Sequence, residues 1–300
     1  MDIPHIWHGP FGQFIGSASD ATDADVVVLG APFDSTTCFR PGTRLGPKEI
    51  RYYSYNLEEY SIEQDRELEE GFFYDAGDLE LPFGSAARSL DMIEEAIASI
   101  LEAKKIPVVL GGEHLVSGGV ARGIARYYPD AVILHIDAHY DLRVDYMGEE
   151  LSHATALNVC RNALQIGAEE EPVRHVQMGI RSGPKSEAMF ARQYIPQLFP
   201  ETVDKLREEI QSLAKTWEGK KVYCTFDIDA IDPAYAPGTG TPEAGGLSSR
   251  QALELMRLLP EYFDLVAVDL VETNPTLDNS GITCSLVAKM LRELLIAMQK

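Results

Sequence analysis

Short apolar runs alternate along this chain with stretches whose apolar residues recur at helical spacing. That alternation restricts the chain to a parallel sheet wrapped by helices. Val26-Val27-Val28-Leu29-Gly30 reads as a buried strand, and Ser89 to Lys104 carries Leu90, Ile93, Ala96, Ile97, Ile100 and Leu101 on one helical face. Ile106-Pro107-Val108-Val109-Leu110 is the next strand, and a helix is expected from about Val116 to Tyr128, against the cost of Gly118, Gly119 and Gly123. Further strands are expected at 131–136, 174–179, 221–226 and 264–270, and helices at 203–216, 248–259 and 284–298. The acidic stretches at 57–70 and 168–171 read as solvated loops or helix ends.

At 300 residues with 45% hydrophobic and 24% charged content, the chain has the composition of one globular α/β domain. No apolar run approaches the ~20 residues of a membrane helix. The first residues lack the basic-then-apolar pattern of a secretory signal. A formal net charge of −21 disfavours nucleic acid and anionic membranes as partners. It would attract a cationic substrate, or simply solvate the surface. Cys38, Cys160, Cys224 and Cys284 form no CxxC pair, which fits a reduced, cytoplasmic protein and excludes a cysteine-held zinc.

Three of the strands run directly into clusters of imidazole and carboxylate: His114 after 106–110, Asp137, His139 and Asp141 after 131–136, and Asp227 and Asp229 after 221–226. Loops at the carboxyl ends of parallel strands gather at one edge of a sheet, so clusters distant in sequence can meet there. If the backbone stays extended past each strand, Asp137, His139 and Asp141 share a side, as do Asp227 and Asp229. Burying so many carboxylates together is prohibitively repulsive unless cations neutralise them. Two imidazoles and four carboxylates exceed one tetrahedral zinc and suit two adjacent divalent ions sharing carboxylates and a water. Such a pair makes hydroxide near neutral pH, which points to a hydrolase. His135, inside the strand, reads as a packed, hydrogen-bonded residue supporting the ligands.

With this pattern the chain resembles the ureohydrolase (arginase/agmatinase) superfamily, and within it the agmatinases, from about residue 25 onward. The resemblance is carried by Arg-Pro-Gly-Thr-Arg-Leu-Gly-Pro at 40–47, Asp-Ala-His-Tyr-Asp at 137–141 and Ser-His-Ala-Thr at 152–155. It continues through Asp-Ile-Asp-Ala-Ile-Asp-Pro and Pro-Gly-Thr-Gly-Thr-Pro-Glu-Ala-Gly-Gly within 227–246, and Val-Glu-Thr-Asn-Pro at 271–275. It implies a three-layer α/β/α fold with a mostly parallel sheet of about eight strands. One domain would span 1–300, with residues 1–24 as an N-terminal extension packed on it.

The resemblance also implies roles. His114, Asp137, Asp141 and Asp227 match the ligands of one manganese; Asp137, His139, Asp227 and Asp229 match those of the other. Cobalt or zinc are possible substitutes. Glu272 matches the carboxylate that pairs with a guanidinium, His153 an active-site histidine that binds substrate and moves protons, and Asp141 the proton donor to the departing amine. Glu113, Leu115, Tyr140 and Ala154 stand where Asp, Ser, Thr and Gly are common, but none of these changes removes a ligand.

The implied reaction is cleavage of agmatine to putrescine and urea by a metal-bridging hydroxide, in a cytoplasmic homo-trimer or homo-hexamer of polyamine biosynthesis. The stretch 142–151 lacks the Ser-Gly-Asn loop with which arginases recognise an amino acid tail, and Asp145, Glu149 or Glu150 could attract a tail ammonium or form a solvated turn. A second reading is another linear guanidino compound such as guanidinobutyrate, its carboxylate received by Arg143 or Arg181. A third is a catalytically inactive binding homologue.

Overall fold

The computed structural model describes residues 1, 3–7, 12–168 and 173–299. Its elements run β1 (Ile6–Trp7), β2 (Val26–Ala31), α1 (Gly46–Ser54), β3 (Tyr60–Ser61), β4 (Arg66–Glu67), β5 (Phe73–Leu79), α2 (Ala86–Glu102) and β6 (Ile106–Gly111). They continue with α3 (Val116–Ala125), β7 (Val132–Ile136), α4 (Ala156–Ala163), β8 (His175–Met178), α5 (Lys185–Tyr194) and β9 (Gln197–Leu198). The last are α6 (Val203–Thr216), β10 (Lys221–Asp227), α7 (Ser249–Tyr262), β11 (Asp264–Val271) and α8 (Ile282–Met298).

Among the described residues the main sheet has nine strands in the order β1-β5-β2-β6-β11-β10-β7-β8-β9. Eight run parallel; the two-residue β1 adds an antiparallel edge, Ile6 opposite Leu79 and Trp7 opposite Asp78. Alternate strand residues feed two apolar layers. Val26, Val28, Leu134, Cys224 and Leu270 pack with α1, α6, α7 and α8, whereas Val27, Leu29, Ile133 and Tyr223 pack with α2, α3 and α4. Helices on both faces explain why the strands are apolar throughout, and each fully buried Leu or Ile contributes about 1.5–3 kcal/mol.

The glycines that weakened the helix expected at 116–128 are what let α3 approach its neighbours. A Cβ on Gly119 would lie 2.8 Å from Ile93 Cβ, one on Gly123 2.6 Å from Ile97 Cβ, and one on Gly118 2.7 Å from Val159 Cγ1. The helix ends at Ala125, earlier than the spacing predicts.

The acidic segment 57–70 departs from its reading as solvated loop or helix end: β3 and β4 form an antiparallel ribbon. Ser61 and Leu68 are buried there, because Glu293 of α8 receives Ser61 Oγ at 2.9 Å and Gln64 Nε2 at 2.9 Å. Of the stretch 168–171, residues 169–171 lie outside the described residues, as do 2 and 8–11 of the N-terminal extension.

The connectivity places the site. After β6 the chain skips two positions to β7, moves outward through β8 and β9, then returns to insert β10 and β11 between β7 and β6. The four strands that precede His114, Asp137, Asp227 and Glu272 are therefore neighbours at the sheet centre, and their carboxyl ends open on the same edge.

Candidate metal centre

His114 lies just beyond β6, at the entry to α3, and is buried. Its Nδ1 is 3.0 Å from Asp137 Oδ2, 3.2 Å from Asp141 Oδ2 and 3.3 Å from Asp227 Oδ2, yet makes no hydrogen bond. The opposite nitrogen is committed elsewhere. Nε2 is 3.0 Å from Thr225 Oγ1, and that hydroxyl donates its hydrogen to Asp269 Oδ1 at 2.7 Å. Thr225 can only accept from the ring, so Nε2 carries a proton and Nδ1 is the position left for a cation among three carboxylates, which against burial raise the ring's pKa well above its ordinary value. Nδ1 among acidic oxygens demands a cation, a proton or a metal ion, and a metal that displaces the proton meets a well-aimed ligand. The donor set fits a divalent metal.

Asp137 also faces a second group. His139 Nδ1 is 3.0 Å from Asp229 Oδ2 and 3.6 Å from Asp137 Oδ1, and these three residues are close enough to share an ion. Asp137 thus turns one oxygen toward each histidine. All six expected ligands are brought together.

The extended-backbone argument for their orientation does not hold. Asp141 adopts a left-handed conformation at φ 51°, and Asp229 sits in a 3-10 turn, Ile228–Ala230, whose N–H donates to Asp227 Oδ1 at 2.8 Å. Carboxylates that accept neighbouring backbone N–H groups reshape the chain as soon as the strand ends. Thr241 Oγ1 and the N–H of Ala138 hold the two oxygens of Asp229, at 3.2 and 3.1 Å.

Burial, with Asp229 and Asp137 alongside, pushes the Asp227 carboxyl well above the usual range, and burial raises Asp229 as well. The cluster resists full ionisation by itself.

Glu272 follows β11 at φ 62°, with its N–H on Gly112 O at 2.8 Å and its Oε1 accepting the N–H of His114 at 2.8 Å. Burial and the nearby Glu113 raise its pKa well above the ordinary value. It lines a pocket of about 150 Å³ together with His139, Asp141, His153 and Asp227. His153 Nδ1 lies 2.7 Å from Thr36 O, which can only accept, so the ring proton is on Nδ1 and Nε2 keeps its lone pair. Burial lowers its pKa.

The four departures from the common motif are accommodated. Leu115 is fully buried in the apolar layer beside α3, and the polar contact to His114 comes from Thr225 instead. Glu113 accepts from Thr36 Oγ1 and Thr37 Oγ1, and Thr36 Oγ1 in turn accepts the N–H of His153 at 2.9 Å. Tyr140 covers Gly183, where a Cβ would come within 2.5 Å of its ring, and with Ala154 it lines the pocket.

In the loop after Asp141, Glu149 and Glu150 are exposed and Asp145 caps a turn through the N–H of Gly148. A further buried carboxylate lines the pocket beside Glu272 and Asp227: Glu187, carried by α5, which the motifs do not point to. Burial pushes it up to about 7, and its Oε1 lies 3.3 Å from Arg143 Nε without a hydrogen bond. An acidic residue in a polar helical stretch gives no sequence signal of this kind.

The arginase family model matches residues 24–297. An agmatinase of Bacillus anthracis is 45% identical over 290 residues, covering 96% of each chain. The solved agmatine ureohydrolase of Thermoplasma volcanium superposes with TM-score 0.85 at 30% identity, covering 96% of this chain and 94% of the other. The proclavaminate amidino hydrolase of Streptomyces clavuligerus gives 0.83 at 29% identity, covering 99% and 97%. The chain belongs to the arginase family. It is an enzyme, a ureohydrolase of the agmatinase type.

Proposed function

We propose that this enzyme hydrolyses agmatine to putrescine and urea at a pair of divalent ions, manganese in the first instance. His114, Asp137, Asp141 and Asp227 would hold one ion and Asp137, His139, Asp227 and Asp229 the other. When bound, such a pair lowers the pKa of water toward 7 and supplies the nucleophile. Glu272 holds the planar guanidinium by a charge-assisted contact and presents its carbon to the attacking oxygen. Attack adds a C–O bond; the C–N bond to the tail then breaks, and the amine needs a proton to leave. Asp141 takes the proton that the attacking oxygen sheds and delivers it to that amine, and His153, with Nε2 free to accept, passes protons to solvent.

The observation that carries the choice of substrate is the state of the two arginines available to a carboxylate tail. Arg181 spends its donors on the backbone carbonyls of Ala244, Gly179, Ala230, Asp229 and Glu243. Arg143 lies against Glu187, its guanidinium 4.8 Å from the Tyr146 ring centroid. Arg181 is closed to a ligand, and a carboxylate tail approaching Arg143 meets the adjacent Glu187 carboxylate, whereas a tail ammonium finds in Glu187 an acceptor. This favours agmatine over guanidinobutyrate, and names of the relatives agree.

No helix among the described residues is long and apolar enough to cross a membrane. We place the enzyme in the cytoplasm as a homo-trimer or homo-hexamer. Steady-state assays with added Mn²⁺ on agmatine, arginine and 4-guanidinobutyrate test the substrate. The highest kcat/KM is expected for agmatine. A higher value for guanidinobutyrate overturns the specificity, and absence of urea from all three leaves a binding homologue.

A further inference from the structure

A third group of residues is close enough to share an ion: His114, His135 and Asp137. An ion there would compete with the arrangement above. We propose that Gln177 is a positioning residue for the metal pair, fixing the proton of His135 so that this histidine donates to Asp137 and is withheld as a ligand. The inference deepens the metal-centre reading and rests on it.

Gln177, fully buried on β8, approaches Tyr140 O at 3.0 Å, and a carbonyl only accepts, so that end of the amide is nitrogen. Its second hydrogen points at His135 Nδ1, 2.9 Å away. The amide oxygen accepts from Gln197 Nε2 at 2.8 Å, which fixes the same orientation from the other end. His135 Nδ1 is therefore the acceptor and the ring proton sits on Nε2, 2.8 Å from Asp137 Oδ2. Asp137 Oδ1 receives the N–H of His139 at 2.6 Å. Each oxygen of Asp137 has one donor and keeps a lone pair for the ion on its own side. The opposite tautomer would set a lone pair against the carboxylate.

The sheet register assembles this device. Asp269, Thr225, His135, Gln177 and Gln197 are successive neighbours across β11, β10, β7, β8 and β9. One polar row beneath the centre thus orients His114 through Thr225 and Asp137 through His135. The same amide holds Tyr140 and so the loop that bears Asp141.

The test reads the tautomer directly. Two-bond ¹H–¹⁵N spectra of metal-free protein labelled in histidine should show His135 protonated at Nε2. In Gln177→Glu the new carboxylate accepts from His135, and the proton should move to Nδ1. Calorimetric titration of metal-stripped protein with Mn²⁺ should show roughly 10–100-fold weaker binding for Gln177→Glu and for Gln177→Met. The rise in Tm on adding Mn²⁺ should shrink to match, separating lost affinity from lost fold. His135 protonated at Nδ1 in the native protein overturns the proposal without any variant, as does native Mn²⁺ affinity in Gln177→Met. A native protein that binds no Mn²⁺ overturns the metal-centre reading, and this inference with it.

Discussion

Glu272 accepts the backbone N–H of His114 through Oε1 at 2.8 Å, tying the carboxylate proposed as the guanidinium anchor to the chain of a proposed metal ligand. Both follow central strands, and Glu272 is held at φ 62°, a conformation that costs a non-glycine residue about 1–2 kcal/mol. Strain of this kind persists where surrounding structure over-determines it.

Glu272→Gln keeps an oxygen for that N–H but loses the charge. The expected variant folds, retains its metal, and loses roughly 100-fold or more in kcat/KM for agmatine, the scale of an unpaired buried charge. Elemental analysis beside steady-state kinetics checks it. Native kinetics would remove Glu272 from the mechanism.

Thr225→Val preserves shape and removes the acceptor for His114 Nε2–H. Loss of such an outer partner lowers metal affinity about 10–100-fold. Titration of stripped protein with Mn²⁺ measures this, and unchanged affinity would deny Thr225 its role in orienting His114.

Asp229→Asn weakens only the group formed with His139 and Asp137. Metal content is expected to fall toward one ion per chain while His114 keeps its own ion. Two ions by elemental analysis would contradict the assignment of Asp229.

Away from the site, Glu293 anchors the β3–β4 ribbon and pairs with Arg257 and Arg292. Burial opposes its charge, but hydrogen bonds from Arg292, Gln64 and Ser61 prevail and hold its pKa below the ordinary 4.5. A depressed carboxylate stabilises the fold above its unfolded pKa and loses that contribution as pH falls through the folded value. Glu293→Gln should cost about 3 kcal/mol at neutral pH. The gap to the native protein should narrow as pH drops below about 4. Urea unfolding at several pH values checks it; a gap independent of pH would contradict the linkage.

Much of this architecture was legible because its signals are local. The helix read at 203–216 coincides with α6, and the strands read at 221–226 and 264–270 fall within β10 and β11. The strand β5 gave no apolar run, since Asp75 and Asp78 interrupt it. Arg51 of α1, distant in sequence, neutralises both, reaching Asp75 Oδ2 at 2.7 Å and Asp78 Oδ1 at 2.5 Å. The six proposed ligands stand out because clustered carboxylates and imidazoles need a common explanation. Thr36, Gln177 and Thr225 do not, because a neutral polar residue acquires its role only from register and packing. His135 was read as a supporting residue, but its direction depends on Gln177 across a strand boundary.

On the function proposed above, buried carboxylates gather around His114 and His139 because two cations lie between them. Anomalous scattering from crystals equilibrated with saturating Mn²⁺ tests it most directly. Two peaks are expected, one beside His114 Nδ1 and one beside His139 Nδ1, with Asp137 between them. No peak there, or ions bound only elsewhere on the chain, would contradict the account.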